Sequence, residues 1–175
     1  MHTEQTGGEV MIHYYYGKGK GKTSAAAGAC IRAAGNGLRC AVIQFLKNGT
    51  SGEIGPLKKL GIDIFTCEFE GIRFFSRMPA EEQQTVISAH NENLRRVLAG
   101  TYQMIVLDEL ADAVQKGAAD PELVAAVLSL PDTEIVITGH PCLEQFSQRA
   151  DYITEFRCVA HPFQKGQKAR KGIEF

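Results

Sequence analysis

The sequence has no surplus of either charge, no paired-cysteine motif and no apolar run longer than a strand, and each absence removes a class of function. Its 19 Lys and Arg are met by 20 Asp and Glu, leaving a formal net charge of -1. So balanced a chain offers no broad field to a nucleic-acid backbone or a membrane surface, and any affinity for phosphate has to be local. The longest apolar stretches, residues 104–107 and 135–137 among them, are far too short to cross a bilayer. Residues 1–10 are polar and contain no apolar signal core, so the expectation is a cytoplasmic protein whose first ten residues form a disordered extension. Five cysteines, Cys30, Cys40, Cys67, Cys142 and Cys158, are scattered, odd in number and without a C-x-x-C pair. That argues against a disulfide framework or a structural zinc site. Cys40, Cys67 and Cys158 lie in apolar stretches, where free cysteine behaves as a small buried hydrophobe. The five histidines show no H-x-x-x-H spacing for a metal.

What is present is a chain of 175 residues with a hydrophobic share of 44%, enough to bury a core and about the length of one domain, taken as residues 11–175. Short apolar runs alternate with longer helix-favouring stretches, the pattern of a parallel sheet covered on both faces. Strands are expected at 11–16, 40–46, 62–67, 104–107, 134–138 and 152–159. Between them, helices are expected at 23–34, in a short piece ending at Gly61, from Pro79 to about residue 98, from the Asp120-Pro121 cap to 128, and around 143–149. The stretch between Glu109 and Asp120 carries no assigned element.

The strongest motif is Gly17-Lys18-Gly19-Lys20-Gly21-Lys22-Thr23-Ser24, between the first strand and the first helix. Glycines at alternate positions let the backbone turn tightly and point N–H groups inward, an anion nest at a helix N-terminus. Lys22 is placed to reach terminal phosphates, and the Thr23 hydroxyl to ligate a magnesium ion bridging phosphate oxygens. Lys18 and Lys20 add positive field. The match to G-x-x-x-x-G-K-[ST] is a variant, because its first glycine position falls on Tyr16. The fourth strand ends on Asp108-Glu109, which is either a helix cap or a carboxylate pair reaching a metal beside the phosphate loop. In an open parallel sheet both features converge on the carboxyl edge of the strands. The fold class is therefore α/β, P-loop NTPase-like (RecA-like), with a mostly parallel sheet and helices on both faces.

Read together, the chain resembles the P-loop type of ATP:corrinoid adenosyltransferase. The phosphate loop, Arg32-Ala33-Ala34-Gly35-Asn36-Gly37, Val42-Ile43-Gln44-Phe45-Leu46-Lys47, Gly52-Glu53, Leu107-Asp108-Glu109-Leu110 and Thr138-Gly139 carry the likeness. So does the ending, Ala150-Asp151-Tyr152-Ile153-Thr154-Glu155, then His161-Pro162-Phe163-Gln164-Lys165-Gly166 and Lys171-Gly172-Ile173-Glu174-Phe175. The resemblance implies transfer of the 5′-deoxyadenosyl group of ATP to the Co(I) centre of a reduced corrinoid, either cobalamin or cobyrinic acid a,c-diamide, with release of triphosphate. It implies Lys22, Thr23 and Glu109 as catalytic groups. Nucleotide and corrinoid contacts fall to Gly17, Lys18, Gly19, Lys20, Gly21, Lys22, Thr23, Ser24, Arg32 and Phe74. Thr23 with Asp108 or Glu109 would hold Mg2+ or Mn2+. A homodimer and a flavoprotein or flavin reductant are further implications.

The sequence departs from that family at Lys18, commonly Asn or Asp, at Asn36, commonly His, and at His140, commonly Arg. The stretch Gly71-Ile72-Arg73-Phe74-Phe75 lacks the tryptophan often found there. Phe74 is the candidate for keeping a lower axial base off cobalt, with anchoring of the loop on the core as the alternative. His161 has a structural and a functional reading. The basic tail, with Arg157, Lys165, Lys168, Arg170 and Lys171, is either a ligand-facing clamp or a solvated surface. A generic P-loop ATPase or small-molecule kinase, and a nucleotide-binding regulatory module without chemistry, are the competing functions.

Overall fold

The computed structural model describes residues 9–67 and 74–173. The expectation for the first ten residues falls almost wholly outside that range. Among the described residues six strands form one sheet: β1 (Met11–Tyr16), β2 (Cys40–Gln44), β3 (Asp63–Phe65), β4 (Met104–Asp108), β5 (Glu134–Thr138) and β6 (Tyr152–Glu155), in the order β3-β2-β4-β5-β1-β6. Every pairing is parallel. This is the α/β, P-loop NTPase-like architecture anticipated, with the sheet parallel throughout.

Period-two alternation explains why both faces are covered. Ala41, Ile43, Ile105, Leu107, Ile135 and Ile137 enter one core, while Val42, Met104, Val106 and Val136 enter the other. The first core is closed by α3 (Ala80–Ala99), α4 (Leu110–Gln115), α5 (Pro121–Val127) and α6 (Glu144–Ser147). The second is closed by α1 (Lys22–Gly35) and α2 (Ile54–Lys59), through Ala26, Cys30 and Leu57. Strands β2 and β4 are buried along their whole length, and each fully buried Ile or Leu contributes about 1.5–3 kcal/mol of transfer free energy.

Some boundaries differ from expectation. The second strand stops at Gln44, because Leu46 takes a left-handed backbone (φ 57) that no strand can continue. The last stops at Glu155, so Cys158 is exposed and is not the buried hydrophobe expected. Pro79 is the cap of α3 rather than its first residue; its ψ of 154 is extended. The unassigned stretch after Glu109 contains α4, too short for a periodic signal. Asp120 caps α5 as expected, accepting the N–H groups of Glu122 and Leu123.

This topology aligns the carboxyl ends of the central strands. In register, Gln44 lies beside Asp108, Leu107 beside Ile137, and Thr138 beside Tyr15. The loop after β1 and the start of α1 cross over the end of β5 to reach the end of β4.

Candidate active site

Glycines in the β1–α1 loop serve backbone crossing as well as ligand approach. A Cβ on Gly17, whose φ is 111, would overlap the Phe156 carbonyl, and one on Gly19 would lie 2.7 Å from it. The Gly17 N–H donates to His140 O (3.2 Å) and the Gly19 N–H to Phe156 O (2.6 Å). Those two amides are committed to the scaffold, so any inward-facing nest is made by the other amides of the loop. Gly21, at φ 111, turns the chain into α1, whose N-terminal end opens on a cleft of about 710 Å³.

Lys22 Nζ donates to the carbonyls of Gly17 (2.7 Å) and Gly19 (2.9 Å), so the ammonium lies inside its own loop on two neutral acceptors. Burial holds its pKa below the ordinary lysine value, against the opposing fields of Asp112, Glu109 and Asp108. One residue on, Thr23 Oγ1 donates to Asp108 Oδ1 at 2.8 Å, which joins the phosphate loop to the end of β4. Thr138 Oγ1 donates to the same oxygen at 2.8 Å and accepts the Glu109 N–H at 2.9 Å. That second bond supports Glu109 in a left-handed backbone (φ 63), a conformation disfavoured for a residue with a side chain.

Asp108 Oδ2 accepts from Lys47 Nζ at 2.6 Å, and the same ammonium lies 3.4 Å from Glu109 Oε1 and 3.4 Å from Thr23 Oγ1. For Lys47, burial disfavours the charge, but Asp108 and Glu109 outweigh it and the pKa is raised. Glu109 is raised chiefly by burial, with Lys47 opposing and Asp108 and Asp112 adding. Gln44 Nε2 donates to Glu53 Oε1 at 2.9 Å, while Gln44 Oε1 is buried without a partner among the described residues. A cavity of about 10 Å³ lies between Thr23, Gln44, Glu53 and Asp108. On the other flank, Asp112 Oδ2 accepts the His140 N–H at 2.8 Å, and His140 Nδ1 lies 3.1 Å from Asp112 Oδ1.

Of the residues expected in the site, Lys18, Gly19, Lys20, Gly21, Lys22, Thr23, Ser24 and Glu109 line the cleft, with Asp108 buried directly behind Thr23 and Lys47. Gly17 anchors the loop's entry. Arg32 is not brought there: it is exposed in the last turn of α1, ten residues beyond Lys22 and so about 15 Å along the axis. Phe74 stands outside the cleft, 72% exposed, with the Arg77 guanidinium 5.5 Å from its ring centroid. Gly71, Ile72 and Arg73 of its loop lie outside the described residues, as do Glu174 and Phe175. The tail does return to the cleft, which His161, Gly172 and Ile173 help to line. His161 Nδ1 also accepts the Phe163 N–H, so it caps the short 3-10 turn at Pro162–Lys165. Lys47, Gln44, Glu53, Thr138 and Asp112 had no role assigned from sequence. Gln44, Lys47, Glu53 and Thr138 lie in segments that carry the family resemblance, and Gln44, Lys47 and Thr138 also stand at or just past strand ends on the carboxyl edge; Asp112, inside α4, carries no such signal.

The residues present suit a hard divalent cation. Thr23, Asp108 and Glu109 offer oxygen donors, and the unpartnered Gln44 Oε1 could accept a hydrogen from coordinated water. Among the described residues no group of three or more His, Cys, Asp or Glu is placed to hold a metal alone. A site with one or two carboxylates that relies on substrate phosphates for the rest is the magnesium pattern.

A family described as ATP:corrinoid adenosyltransferase BtuR/CobO/CobP matches residues 8–175. Similar proteins include a corrinoid adenosyltransferase of Sinorhizobium sp, 31% identical over 167 residues that cover 91% of this chain and 77% of the relative. Corrinoid adenosyltransferase CobA of Salmonella typhimurium is 31% identical over 169 residues, covering 94% and 85%. A corrinoid adenosyltransferase of Escherichia coli K12 is 33% identical over 173 residues, again covering 94% and 85%.

Proposed function

The chain belongs to the ATP:corrinoid adenosyltransferase family, and from that premise we propose how its residues divide the work. The reaction transfers the 5′-deoxyadenosyl group of ATP to a reduced corrinoid. The Co(I) electron pair attacks the ribose 5′-carbon, a cobalt–carbon bond forms, the bond from that carbon to oxygen breaks, and triphosphate leaves with the bonding electrons. The nucleophile belongs to the substrate. The protein therefore has to orient ATP, stabilise a departing polyanion and keep water from a reactive metal.

The observation that carries this division is the Thr23–Asp108 bond, which fixes the start of α1 against the end of β4 beneath one cleft. Lys22 leaves the Gly17 and Gly19 carbonyls for the phosphates, replacing two neutral acceptors with anionic ones. Lys18, Lys20 and Ser24 line the same wall, and Glu109 faces the cleft beside them. Thr23, Asp108 and Glu109 would hold Mg2+ or Mn2+, whose charge would offset that developing on the triphosphate. His161 and Ile173 close the cleft from the side of the tail, where the corrinoid approaches. Phe74, exposed and free of the core, is assigned to shielding cobalt from a lower axial base.

The family likeness also supports a cytoplasmic homodimer supplied with electrons by a flavoprotein or free flavin; no helix of the described residues is long and apolar enough to cross a membrane. Incubation with ATP and chemically reduced cobalamin should yield a light-sensitive adenosylated corrinoid and one triphosphate per product. Phosphate or diphosphate without alkylated cobalt would overturn the assignment in favour of a kinase or ATPase. Phe74→Ala should lose several-fold more activity on cobalamin than on a corrinoid lacking the lower base, and equal losses would remove its shielding role.

A further inference from the structure

Lys47 touches the three groups assigned above to the divalent cation. Its ammonium is 2.6 Å from Asp108 Oδ2 and 3.4 Å from both Glu109 Oε1 and Thr23 Oγ1. The other Asp108 oxygen is already taken by the Thr23 and Thr138 hydroxyls. A magnesium ion ligated by these oxygens would sit about 2.1 Å from each, inside the volume the ammonium fills. Two cations cannot share it. The geometry points to Lys47 as an internal counter-cation that holds the metal position in the nucleotide-free enzyme, so that metal enters by displacing the ammonium toward the phosphates.

The two ends of this side chain are built differently, as such a device requires. At the backbone, Leu46 is held in its left-handed conformation while its N–H donates to His90 Nε2 at 3.1 Å; His90 is fully buried and its Nδ1 donates to Ala118 O at 2.8 Å. The base of Lys47 is thereby fixed at the rim of the cleft. Its four-carbon stem is flexible, and the ammonium lines the same cleft as Lys18, Lys20 and Lys22, within the sweep of a bound polyphosphate. Charge follows the same logic. Without ligand, Lys47 offsets one of the two charges of the Asp108–Glu109 pair; with metal present, a released ammonium adds to the charge facing the triphosphate. Metal alone has to compete with a tethered cation, whereas metal arriving with nucleotide is helped by a new anionic partner for Lys47.

The inference rests on the metal-site reading, and the test separates the two. Mn2+ affinity is measured by electron paramagnetic resonance without nucleotide, in the unaltered enzyme, Lys47→Met, Asp108→Asn and the double variant, each first checked for folding by circular dichroism. Lys47→Met should bind Mn2+ about tenfold or more tightly than the unaltered enzyme, and Asp108→Asn should abolish that gain. Equal or weaker affinity in Lys47→Met, with Asp108→Asn still weakening binding, overturns the counter-cation while leaving the metal site standing. Tight binding that survives Asp108→Asn overturns both. Independently of any substitution, reductive methylation followed by peptide mapping should find Lys47 several-fold more reactive when Mg2+ is saturating. Reactivity unchanged by Mg2+ would count against displacement.

Discussion

Two of the lysines that line the cleft, Lys22 and Lys47, are held in opposite ways. Lys22 rests on two neutral carbonyls of its own loop, and burial depresses its pKa. Lys47 rests on carboxylates at the end of β4, and despite burial its pKa is raised. A cation on neutral acceptors is released to any phosphate that offers negative charge, while one on carboxylates leaves only when another cation replaces it. On the proposed reading the phosphate-loop side is free to meet nucleotide, while on the β4 side Lys47 offsets one of two carboxylate charges until a metal displaces it.

The strongest test of that contrast is Lys22→Ala. Turnover should fall by about a hundredfold to a thousandfold, as for loss of one preorganised transition-state donor, with stability unchanged to within about 1 kcal/mol by denaturant titration. Near-normal turnover would break the contrast from the Lys22 side. Asp108→Asn should behave differently, costing on the order of tenfold or more in turnover and also about 1–3 kcal/mol of stability, because it removes the nearer of the two carboxylates that hold a partly buried ammonium. If both variants lost activity alone, with no difference in stability, the two lysine environments would be energetically alike.

The smallest effect concerns the tether behind Lys47. Burial lowers the His90 pKa below its ordinary value of 6.5, and the hydrogen bond to Ala118 only partly opposes this. The unfolded chain therefore takes up a proton first as pH falls, so the stability from neutral His90 is present above pH 6.5 and is lost progressively below it. Melting temperature should drop by a few degrees between pH 7 and 5.5, and His90→Asn should flatten that slope while lowering stability overall. An unchanged slope in the variant would assign the pH dependence to other groups.

How the contrast arises shows what could be read without coordinates. Alternating apolar residues, a Gly/Lys run between strand and helix, and Asp108-Glu109 at the end of an apolar stretch named the fold class and one wall of the cleft, because those signals are local. Cys158 shows the limit: its stretch was apolar, but the strand ends at Glu155 and leaves the thiol in solvent. Phe74 shows the same limit, for nothing local tells that it stands exposed outside the cleft.

By itself, the sequence determined that a glycine- and lysine-rich turn opens the first helix and that carboxylates close the fourth strand. Only the tertiary structure decided that β5 separates β1 from β4, bringing Thr138 between the two motifs and Lys47 across from β2. The physical reason is that a helix start or a strand end is written in neighbouring residues. The strand order, and with it the counter-charge each buried group meets, is set by packing between segments far apart in the chain.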